Sequence, residues 1–379
     1  MSESKIWLSS PHMGGNEKKY VQEAFDTNWV APLGPNVTGF ESDLESYFDD
    51  EKHIAALSSG TAAIHLGLVL LNVKAGDEVI CQSFTFSASA NPILYQGAHP
   101  IFVDSEPDTW NICPVALEEA IVDRIAKGKK PKAIIAVHLY GMPFKVDEIK
   151  EIASRFEIPI LEDSAEALGS MYKGKKCGTF GDIGVLSFNG NKIITTSGGG
   201  ALVASIKEVK DKAIFFSTQS RDQAPHYQHS EIGFNYRLSN ICAGIGRGQM
   251  EVLDDHIAMR REMHKFYLDY FEDVDGVTVF NEPNSNYYSN HWLSAILIEP
   301  SITGGKNRED LRLFMEQENI ECRPLWKPMH LQPVFDKCPY YGGMIAENLF
   351  NLGLCLPSGS NLRTDDKKRI QNALDTFFK

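Results

Sequence analysis

The sequence predicts an α/β protein whose main domain is a mostly parallel sheet covered by helices on both faces. From about residue 53 to about residue 205, short apolar runs alternate with amphipathic stretches. The runs are rich in β-branched residues and end at Gly, Pro or Asp, as buried strands do. Alternation of strand and helix indicates parallel strands joined by helical crossovers. Because 379 residues are too many for one small core, we expect two domains.

The alternating region predicts five strands and three helices. Each predicted strand is short, and each predicted helix carries apolar residues on one face. The strands are predicted at residues 79–81, 100–103, 133–137, 158–161 and 185–188. The helices are predicted at residues 61–71, 115–125 and 146–156.

The pattern changes in the C-terminal part of the chain, after about residue 275. Residues 239–272 indicate one or two helices before that point. Beyond it, strands are predicted at residues 277–280 and 292–298, and helices at residues 308–318 and 365–378. We therefore expect a large domain at residues 1–250, with an N-terminal arm over about residues 1–15, and a smaller α+β domain at residues 251–379.

Composition and charge argue against several classes of function. A net charge of −13 disfavours coating nucleic acid or binding an anionic membrane surface. The chain has no apolar run long enough to span a membrane, and its polar N-terminus does not resemble a signal peptide. The seven cysteines never form C-x-x-C, and the histidines never form H-x-x-x-H. We expect a cytoplasmic protein with reduced thiols, no metal site, and no nucleic-acid or membrane partner.

The most informative segment is residues 187–200, directly after the last predicted strand of the sheet. It places Lys192 between a turn rich in Ser and Asn and three consecutive glycines. Open α/β sheets bind ligands at the carboxyl ends of their strands. A lysine at such a strand end is suited to forming a Schiff base with an aldehyde cofactor. The alternative is an ordinary solvated loop lysine.

Three further segments could complete a site for such a cofactor. Gly60 and Thr61 open a predicted helix, whose free N–H groups attract a phosphate, although they could equally be a plain helix cap. Asp163 ends an apolar strand and could keep a pyridine nitrogen protonated, or simply cap the next helix. Phe86 follows another strand and could stack on a flat cofactor, or pack in the core.

Together these segments resemble the DegT/DnrJ/EryC1/StrS family of sugar aminotransferases. The resemblance runs from residues 11–17 to residues 356–359, over nearly the whole chain. Its specific motifs lie at residues 59–63, 162–169, 178–182, 187–192, 235–240 and 323–330. The resemblance implies an aspartate aminotransferase-like, fold-type I domain that uses pyridoxal 5′-phosphate (PLP), and a homodimer with composite active sites.

The resemblance also assigns roles to single residues. Lys192 carries the cofactor aldehyde, and Asp163 pairs with the pyridine nitrogen. Asn235 reaches the cofactor phosphate from the neighbouring subunit, while His330 and Arg237 lie in segments that face the substrate. The remaining cofactor contacts are Gly60, Thr61 and Ser187 on the phosphate and Phe86 on the ring.

One position departs from the family pattern. The residue three after the aspartate is usually Gln or His and lies near the 3-hydroxyl of the cofactor, but here it is Glu166. A carboxylate beside a phenolate is repelled unless one of the two is protonated. We therefore expect Glu166 either to have a raised pKa or to point away from the cofactor.

Within the family, the chain most resembles enzymes that move the amino group of L-glutamate to UDP-4-keto-6-deoxy-N-acetylglucosamine in bacillosamine synthesis. Residues 31–34, 189–200, 217–221 and 323–330 carry this finer resemblance. The alternatives are the GDP-linked 4-keto sugar of perosamine synthesis and a 3-keto sugar. An alternative of another class is a catalytically silent protein that keeps the fold as a regulator, which an intact Lys192 disfavours.

Overall fold

The computed structural model describes residues 4–49 and 51–378. These residues form twelve α-helices and fifteen β-strands. The helices are α1 Glu17–Asp26, α2 Pro35–Tyr47, α3 Gly60–Leu70, α4 Ser87–Tyr95, α5 Pro114–Ala126, α6 Val146–Arg155, α7 Lys207–Ser217, α8 Asn240–Met250, α9 Leu253–Phe271, α10 Arg308–Gln317, α11 Ile345–Leu352 and α12 Thr364–Phe378. The strands are β1 His53–Leu57, β2 Glu78–Gln82, β3 His99–Val103, β4 Ala133–Val137, β5 Ile160–Asp163, β6 Met171–Tyr172, β7 Lys175–Lys176, β8 Ile183–Ser187, β9 Gly200–Ala204, β10 Val277–Val279, β11 Tyr287–Tyr288, β12 Ser294–Ile298, β13 Arg323–Pro324, β14 Tyr340–Tyr341 and β15 Gly353–Leu356.

The core of the molecule is an eight-stranded sheet with the order β1-β9-β8-β5-β4-β2-β3-β14. Neighbours from β8 to β14 pair in parallel, whereas β9 is antiparallel to both β8 and β1. Strands β2, β4 and β9 are buried along their whole length. The predicted mixed, mostly parallel sheet covered by helices is confirmed.

The five predicted strands of this sheet are confirmed, with small shifts of their ends. The predicted strand at 158–161 is observed as Ile160–Asp163, and the one at 185–188 as Ile183–Ser187. The region predicted as one or two helices contains two, α8 and α9, which are separated by a short break. Strand β9 was not predicted, because its glycine and alanines give no β-branched run.

The helices form for identifiable local reasons. The side chain of Ser59 accepts a hydrogen bond from the N–H of Ala62 (3.0 Å) and caps α3. Val146, Ile149 and Ile152 give α6 a buried face at helical spacing. These features fix the strand ends and helix starts that surround the site.

A second, smaller core lies away from the large sheet. It gathers side chains of α9, α10 and α12 around the four-stranded antiparallel sheet β10-β12-β15-β13. The division into two domains at residue 250 stays our proposal. Each part of the chain contributes to the other, since Ile6 packs in the smaller core and β14 joins the large sheet beside β3. No helix of the described residues has the length and apolarity needed to cross a membrane.

Candidate active site

A cavity of about 320 Å³ lies at the carboxyl ends of β5 and β8 and at the start of α3. Parallel strands end together at one edge of a sheet, so residues far apart in sequence meet there. Seven of the eight predicted cofactor-binding residues line this cavity. They are Gly60, Thr61, Phe86, Asp163, Glu166, Ser187 and Lys192.

Lys192 lies in the loop after β8, with its amine inside the cavity. Its Nζ is 3.4 Å from Oε1 of Glu166 and 4.0 Å from the centre of the Trp292 ring. The loop is fixed by a residue distant in sequence, because the Trp292 indole N–H donates to the carbonyl of Asn191 (2.6 Å). Arg260 adds a longer hydrogen bond to the carbonyl of Lys192 (3.4 Å). The lysine is therefore a held side chain in a cavity, and not a solvated loop residue.

Asp163 is the last residue of β5, and its carboxylate is buried. It accepts hydrogen bonds from the hydroxyl of Ser89 (2.7 Å) and from the N–H of Ala165 (3.1 Å). Both donors are neutral, so neither compensates the charge. A buried carboxylate of this kind favours a cationic partner, and it lines the cavity where such a partner would bind.

The start of α3 lies at one end of the cavity, where its N–H groups could hold an anion. The first turn of any helix has N–H groups without partners within the helix, and these groups carry the positive end of the helix dipole. A Cβ added to Gly60 would lie 3.0 Å from Cβ of Ser187, so the turn and the end of β8 are in close contact. Gly200 of β9 is closer still, since a Cβ there would lie 2.4 Å from the N atom of Gly60.

Aromatic side chains form the walls of the cavity. Phe86 and Trp326 are in contact, with ring centres 5.1 Å apart. Tyr140 is nearly parallel to both Trp292 and Trp326, at 6.3 Å from each ring. Such surfaces suit a flat ligand, because ring faces attract one another when offset. Phe86 is 50% exposed, so its outer face is not covered within this chain.

Glu166 lies inside the cavity, and its carboxylate points to Lys192. Of the two expectations for this residue, the placement favours a raised pKa over a side chain that points away. Its other oxygen, Oε2, accepts a hydrogen bond from the N–H of Tyr140 (2.7 Å). Burial raises the pKa of Glu166 above its usual range, while Lys192 and the Tyr140 N–H act in the opposite direction.

The structure does not bring His330 or Arg237 to the cavity. His330 is hydrogen-bonded to Ser83 (2.7 Å) and to Glu347 (3.2 Å). The Arg237 guanidinium uses one nitrogen, Nη1, inside the fold: it is 2.5 Å from Glu41 and donates to the carbonyl of Ala56 (2.8 Å). Neither prediction of a substrate contact is therefore supported by the placement within one chain.

Asn235 lies outside the cavity of its own chain. It is exposed and forms an antiparallel bridge with Thr218. This position leaves its side chain free to face another molecule, in line with the expectation that it acts from a neighbouring subunit. That role stays a prediction.

Sequence reasoning missed several residues of the cavity. Trp292 and Asn191 line it, and Ser89 holds Asp163 from α4. Trp292 is distant in sequence from the other site residues and carries no motif of its own. Ser89, a polar residue in the first turn of α4, gives no signal either. Trp326, by contrast, lies inside the motif at residues 323–330.

A group of metal-ligand types, His138, Glu162 and Cys177, lies within 4.8 Å beside the cavity. The N–H of Phe144 donates to Nδ1 of His138 (3.1 Å), so the ring proton is on Nε2, which donates to Glu162 (2.7 Å). Glu162 also accepts the N–H groups of Phe180 and Gly181. These bonds occupy the ligand atoms of His138 and Glu162 and hold the loop after β7. The absence of a metal site stays a prediction.

The cavity fits PLP on the chemistry of its residues. An amine, a buried carboxylate with neutral donors, a helix start and aromatic walls surround one space. These are the partners of an aldehyde, a pyridinium nitrogen, a phosphate and a planar ring, respectively. Fold and site together define a PLP-dependent transferase of fold type I.

Comparison with known proteins gives the family. The model of the DegT/DnrJ/EryC1/StrS aminotransferase family matches residues 11–375. EpsN of Bacillus subtilis is 51% identical over 378 residues, covering 99% of this chain and 96% of that protein. GDP-perosamine synthase of Escherichia coli O157:H7 is 37% identical over 376 residues, covering 98% of each. The crystal structure of a DegT DnrJ EryC1 StrS aminotransferase from Brucella abortus superposes with a TM-score of 0.88 at 29% identity, covering 96% and 95% of the two chains.

The chain therefore belongs to the DegT/DnrJ/EryC1/StrS aminotransferase family. It is a PLP-dependent aminotransferase with the fold-type I architecture that the sequence predicted, and its substrates belong to sugar metabolism. The catalytically silent alternative is not supported.

Proposed function

We propose that the protein transfers the amino group of L-glutamate to the C4 ketone of a nucleotide-linked 4-keto-6-deoxy sugar, and that this sugar is UDP-4-keto-6-deoxy-N-acetylglucosamine. The observation that carries the proposal is the single cavity into which Lys192, Asp163 and the start of α3 all project. An amine, an acid and an anion site in one cavity are the parts that transamination on PLP needs.

The residues of this chain divide the work in the proposed reaction. When bound, PLP supplies an aldehyde and a ring that withdraws electrons from the reacting carbon. Lys192 holds the aldehyde between turnovers, and as a free amine its Nζ moves the proton at the reacting carbon of each substrate. Asp163 holds a positive charge on the ring nitrogen, and Gly60, Thr61 and Ser187 bind the phosphate.

A second candidate substrate is GDP-4-keto-6-deoxymannose. The observation that favours it is the 37% identity with GDP-perosamine synthase over nearly the full length of both chains. A panel of UDP- and GDP-linked 4-keto sugars and a 3-keto sugar, each incubated with L-glutamate, separates these candidates. NMR of the product gives the position of the new amine. Turnover of only the GDP sugar would contradict the first proposal and support the second.

The role of Lys192 is tested by Lys192→Ala. We expect loss of the covalent link to PLP and a fall in turnover of about 1,000-fold or more, because both the attachment point and the proton carrier are gone. Absorbance of the purified protein and an assay with L-glutamate measure the two effects.

The matched control for Lys192→Ala is Lys210→Ala. Lys210 is also a mostly buried lysine paired with a glutamate, at 2.7 Å from Glu45 and 18% exposed, but it lies outside the cavity. The control should keep the coloured cofactor and its activity. A Lys192→Ala protein that still aminates a 4-keto sugar would refute the proposal.

We further propose that the active form is a homodimer in which Asn235 of one subunit reaches the cofactor phosphate of the other. Large apolar side chains are exposed at the cavity and elsewhere on the surface: Phe86 lines the cavity, and the others are Trp29, Val30, Leu33, Tyr95 and Ile232. Exposed apolar surface of this extent favours a protein partner. A second copy of the chain, related by a two-fold axis, is the simplest one. The cytoplasmic location stays a prediction from composition.

A further inference from the structure

The cavity contains one acidic side chain that the proposed reaction has not yet used. Glu166 replaces the Gln or His of the family pattern, and its carboxylate is the acid nearest to the reacting nitrogen. We propose that Glu166 is a catalytic proton acceptor for Lys192, taking a proton from Nζ when that nitrogen forms its bond to the cofactor carbon and returning it when water breaks that bond. This inference rests on the proposed role of Lys192.

The geometry aims Glu166 at the amine. Oε1 lies 3.4 Å from Nζ of Lys192, and Oε2 is held by the N–H of Tyr140 at 2.7 Å. Because one oxygen is fixed by the backbone, the carboxylate cannot turn away from the lysine without breaking that bond. Donation by a backbone N–H also leaves Oε1 free to accept a proton.

Tyr140, which holds Glu166, is in an unusual conformation. Its φ is +54°, in the left-handed region that residues with a Cβ rarely adopt, and its side chain is buried. The phenol oxygen of Tyr140 accepts the N–H of Trp326 at 2.9 Å, which ties the strained residue to the cavity wall. Strained backbone conformations persist where surrounding structure enforces them, and they cluster at functional sites. Here the strained conformation points the N–H of Tyr140 at Glu166.

The groups around Glu166 act on its proton affinity in opposite directions, and their net effect is a raised pKa. Burial is the largest cause and favours the protonated form, as does Asp163, whereas Lys192 and the Tyr140 N–H favour the carboxylate. The other neighbours are the Tyr140 phenol and the Cys355 thiol. Burial raises the pKa of both groups far above neutrality, so they stay uncharged. A carboxyl in this setting changes its protonation when the amine beside it loses its charge.

The proton transfer balances in atoms and charge. Before the bond forms, Lys192 is an ammonium with three protons and Glu166 is a carboxylate. After it forms, nitrogen is doubly bonded to carbon, the aldehyde oxygen has left as water with two of those protons, and the third is on Oε1 of Glu166. An incoming amine replaces the lysine nitrogen in that double bond, so Lys192 leaves as a free amine that can act at the substrate carbon while Oε1 keeps its proton. Breaking the bond with water reverses the whole transfer and returns the proton to Nζ.

The test uses the full-length protein prepared without PLP, with PLP as the added probe. An infrared difference spectrum detects a carboxylic acid C=O stretch that appears when Lys192 becomes linked, and rapid-mixing absorbance follows the rate of linkage. The variants are Glu166→Gln, which can still accept the Tyr140 N–H but takes no proton, and Glu166→Asp. The control is Glu106→Gln, because Glu106 is also a buried glutamate paired with a lysine, at 2.9 Å from Lys145 and outside the cavity.

We expect the acid band in the wild type and in Glu106→Gln, and its absence in Glu166→Gln. The linkage rate should fall at least tenfold in Glu166→Gln. If Glu166→Gln does not fold, Glu166→Asp decides, since its acid band should shift in frequency. A wild type without the band, a band unchanged in the variants, or a wild-type linkage rate in Glu166→Gln overturns the proposal.

Peptide mapping after borohydride reduction separates this result from the wider proposal. PLP found on Lys192 without an acid band means that only the role of Glu166 is wrong. PLP absent from Lys192 means that the proposed role of the lysine has failed first.

Discussion

At the scale of single residues, the site depends on a few charges held where water cannot compensate them. Asp163 illustrates this, because its two donors are neutral and its carboxylate is 3% exposed. Taking an unpaired charge out of water is unfavourable, so the fold keeps this carboxylate ready for a cationic ligand. The position of Asp163 at a strand end predicted its place in the site. That its hydrogen-bond donors are neutral is visible only in the folded chain.

The charge of Asp163 can be tested without changing its shape. Asp163→Asn should lower turnover on the order of 100-fold or more, because an amide cannot hold a proton on the ring nitrogen by charge pairing. A steady-state assay with L-glutamate measures this loss. The matched control is Asp104→Asn, since Asp104 is also a buried aspartate at a strand end but accepts N–H groups of α11 and lies outside the cavity. That variant should lose stability while keeping the cofactor spectrum, and equal losses of turnover in both would contradict the role of Asp163.

At the scale of elements, the close contact between β9 and the start of α3 shapes the phosphate end of the cavity. A Cβ on Gly200 would lie 2.4 Å from the N atom of Gly60 and 2.6 Å from the carbonyl oxygen of Ser59, both backbone atoms. Gly200→Ala should therefore move the turn and weaken PLP binding about tenfold, as overpacking by 1–3 kcal/mol would.

Titration of the cofactor-free protein with PLP measures the effect of Gly200→Ala. Gly190→Ala is the control, because the nearest atom to its added Cβ is Pro11 Cγ at 3.9 Å, an ordinary van der Waals contact. The prediction fails if both variants bind PLP like the wild type.

The segment after β13 places Trp326 at the cavity, and hydrogen bonds of His330 hold this segment in position. In the consistent assignment, Ser83 donates its hydroxyl proton to Nδ1 of His330, and Nε2–H donates to Glu347. Ser83 lies three residues before Phe86, so this link joins the two segments whose aromatic rings touch at 5.1 Å. We therefore expect His330 to act as a positioning residue, and the substrate contact that its motif suggested stays a prediction.

Loss of this fastening should weaken substrate binding more than chemistry. His330→Ala should raise KM for the keto sugar about fivefold, equivalent to roughly 1 kcal/mol, the usual net value of a hydrogen bond. The turnover number should change less. The exposed His99 supplies the control variant His99→Ala, with unchanged kinetics. A fall in kcat with constant KM would argue against a positioning role.

At the scale of the whole molecule, the proposed dimer makes a distinctive prediction. Mixing Lys192→Ala subunits with Asn235→Asp subunits should restore activity, although each variant alone is impaired. In a hybrid dimer, one site contains both changes and the other contains neither. Statistical exchange thus gives up to about a quarter of wild-type sites. Assays after subunit exchange, with sedimentation to confirm the dimer, measure this. No recovery in a verified mixed dimer would show that Asn235 does not act across the interface.

Much of the fold and site was predictable because it depends on local rules. The apolar run that ends in Asp163, the cap before Gly60 and the loop holding Lys192 are each encoded within a few residues. The substrate roles given to His330 and Arg237 lack support because a motif identifies a residue but not its partners. Arg237 forms an ion pair with Glu41, which lies far away in sequence and belongs to no motif.

The sequence by itself determined the alternating strands, the strand-end positions of Asp163 and Lys192, and the family to which they belong. Only the tertiary structure decided which side chains share the cavity: it added Trp292, placed Arg237 outside the cavity of its own chain, and turned Glu166 toward Lys192. The physical reason is that hydrophobic periodicity and capping act between neighbours in the chain, whereas hydrogen bonds and charge pairs act between neighbours in space. Arg260 shows the difference, since this one buried side chain contacts Ser9, Trp292 and Ser358.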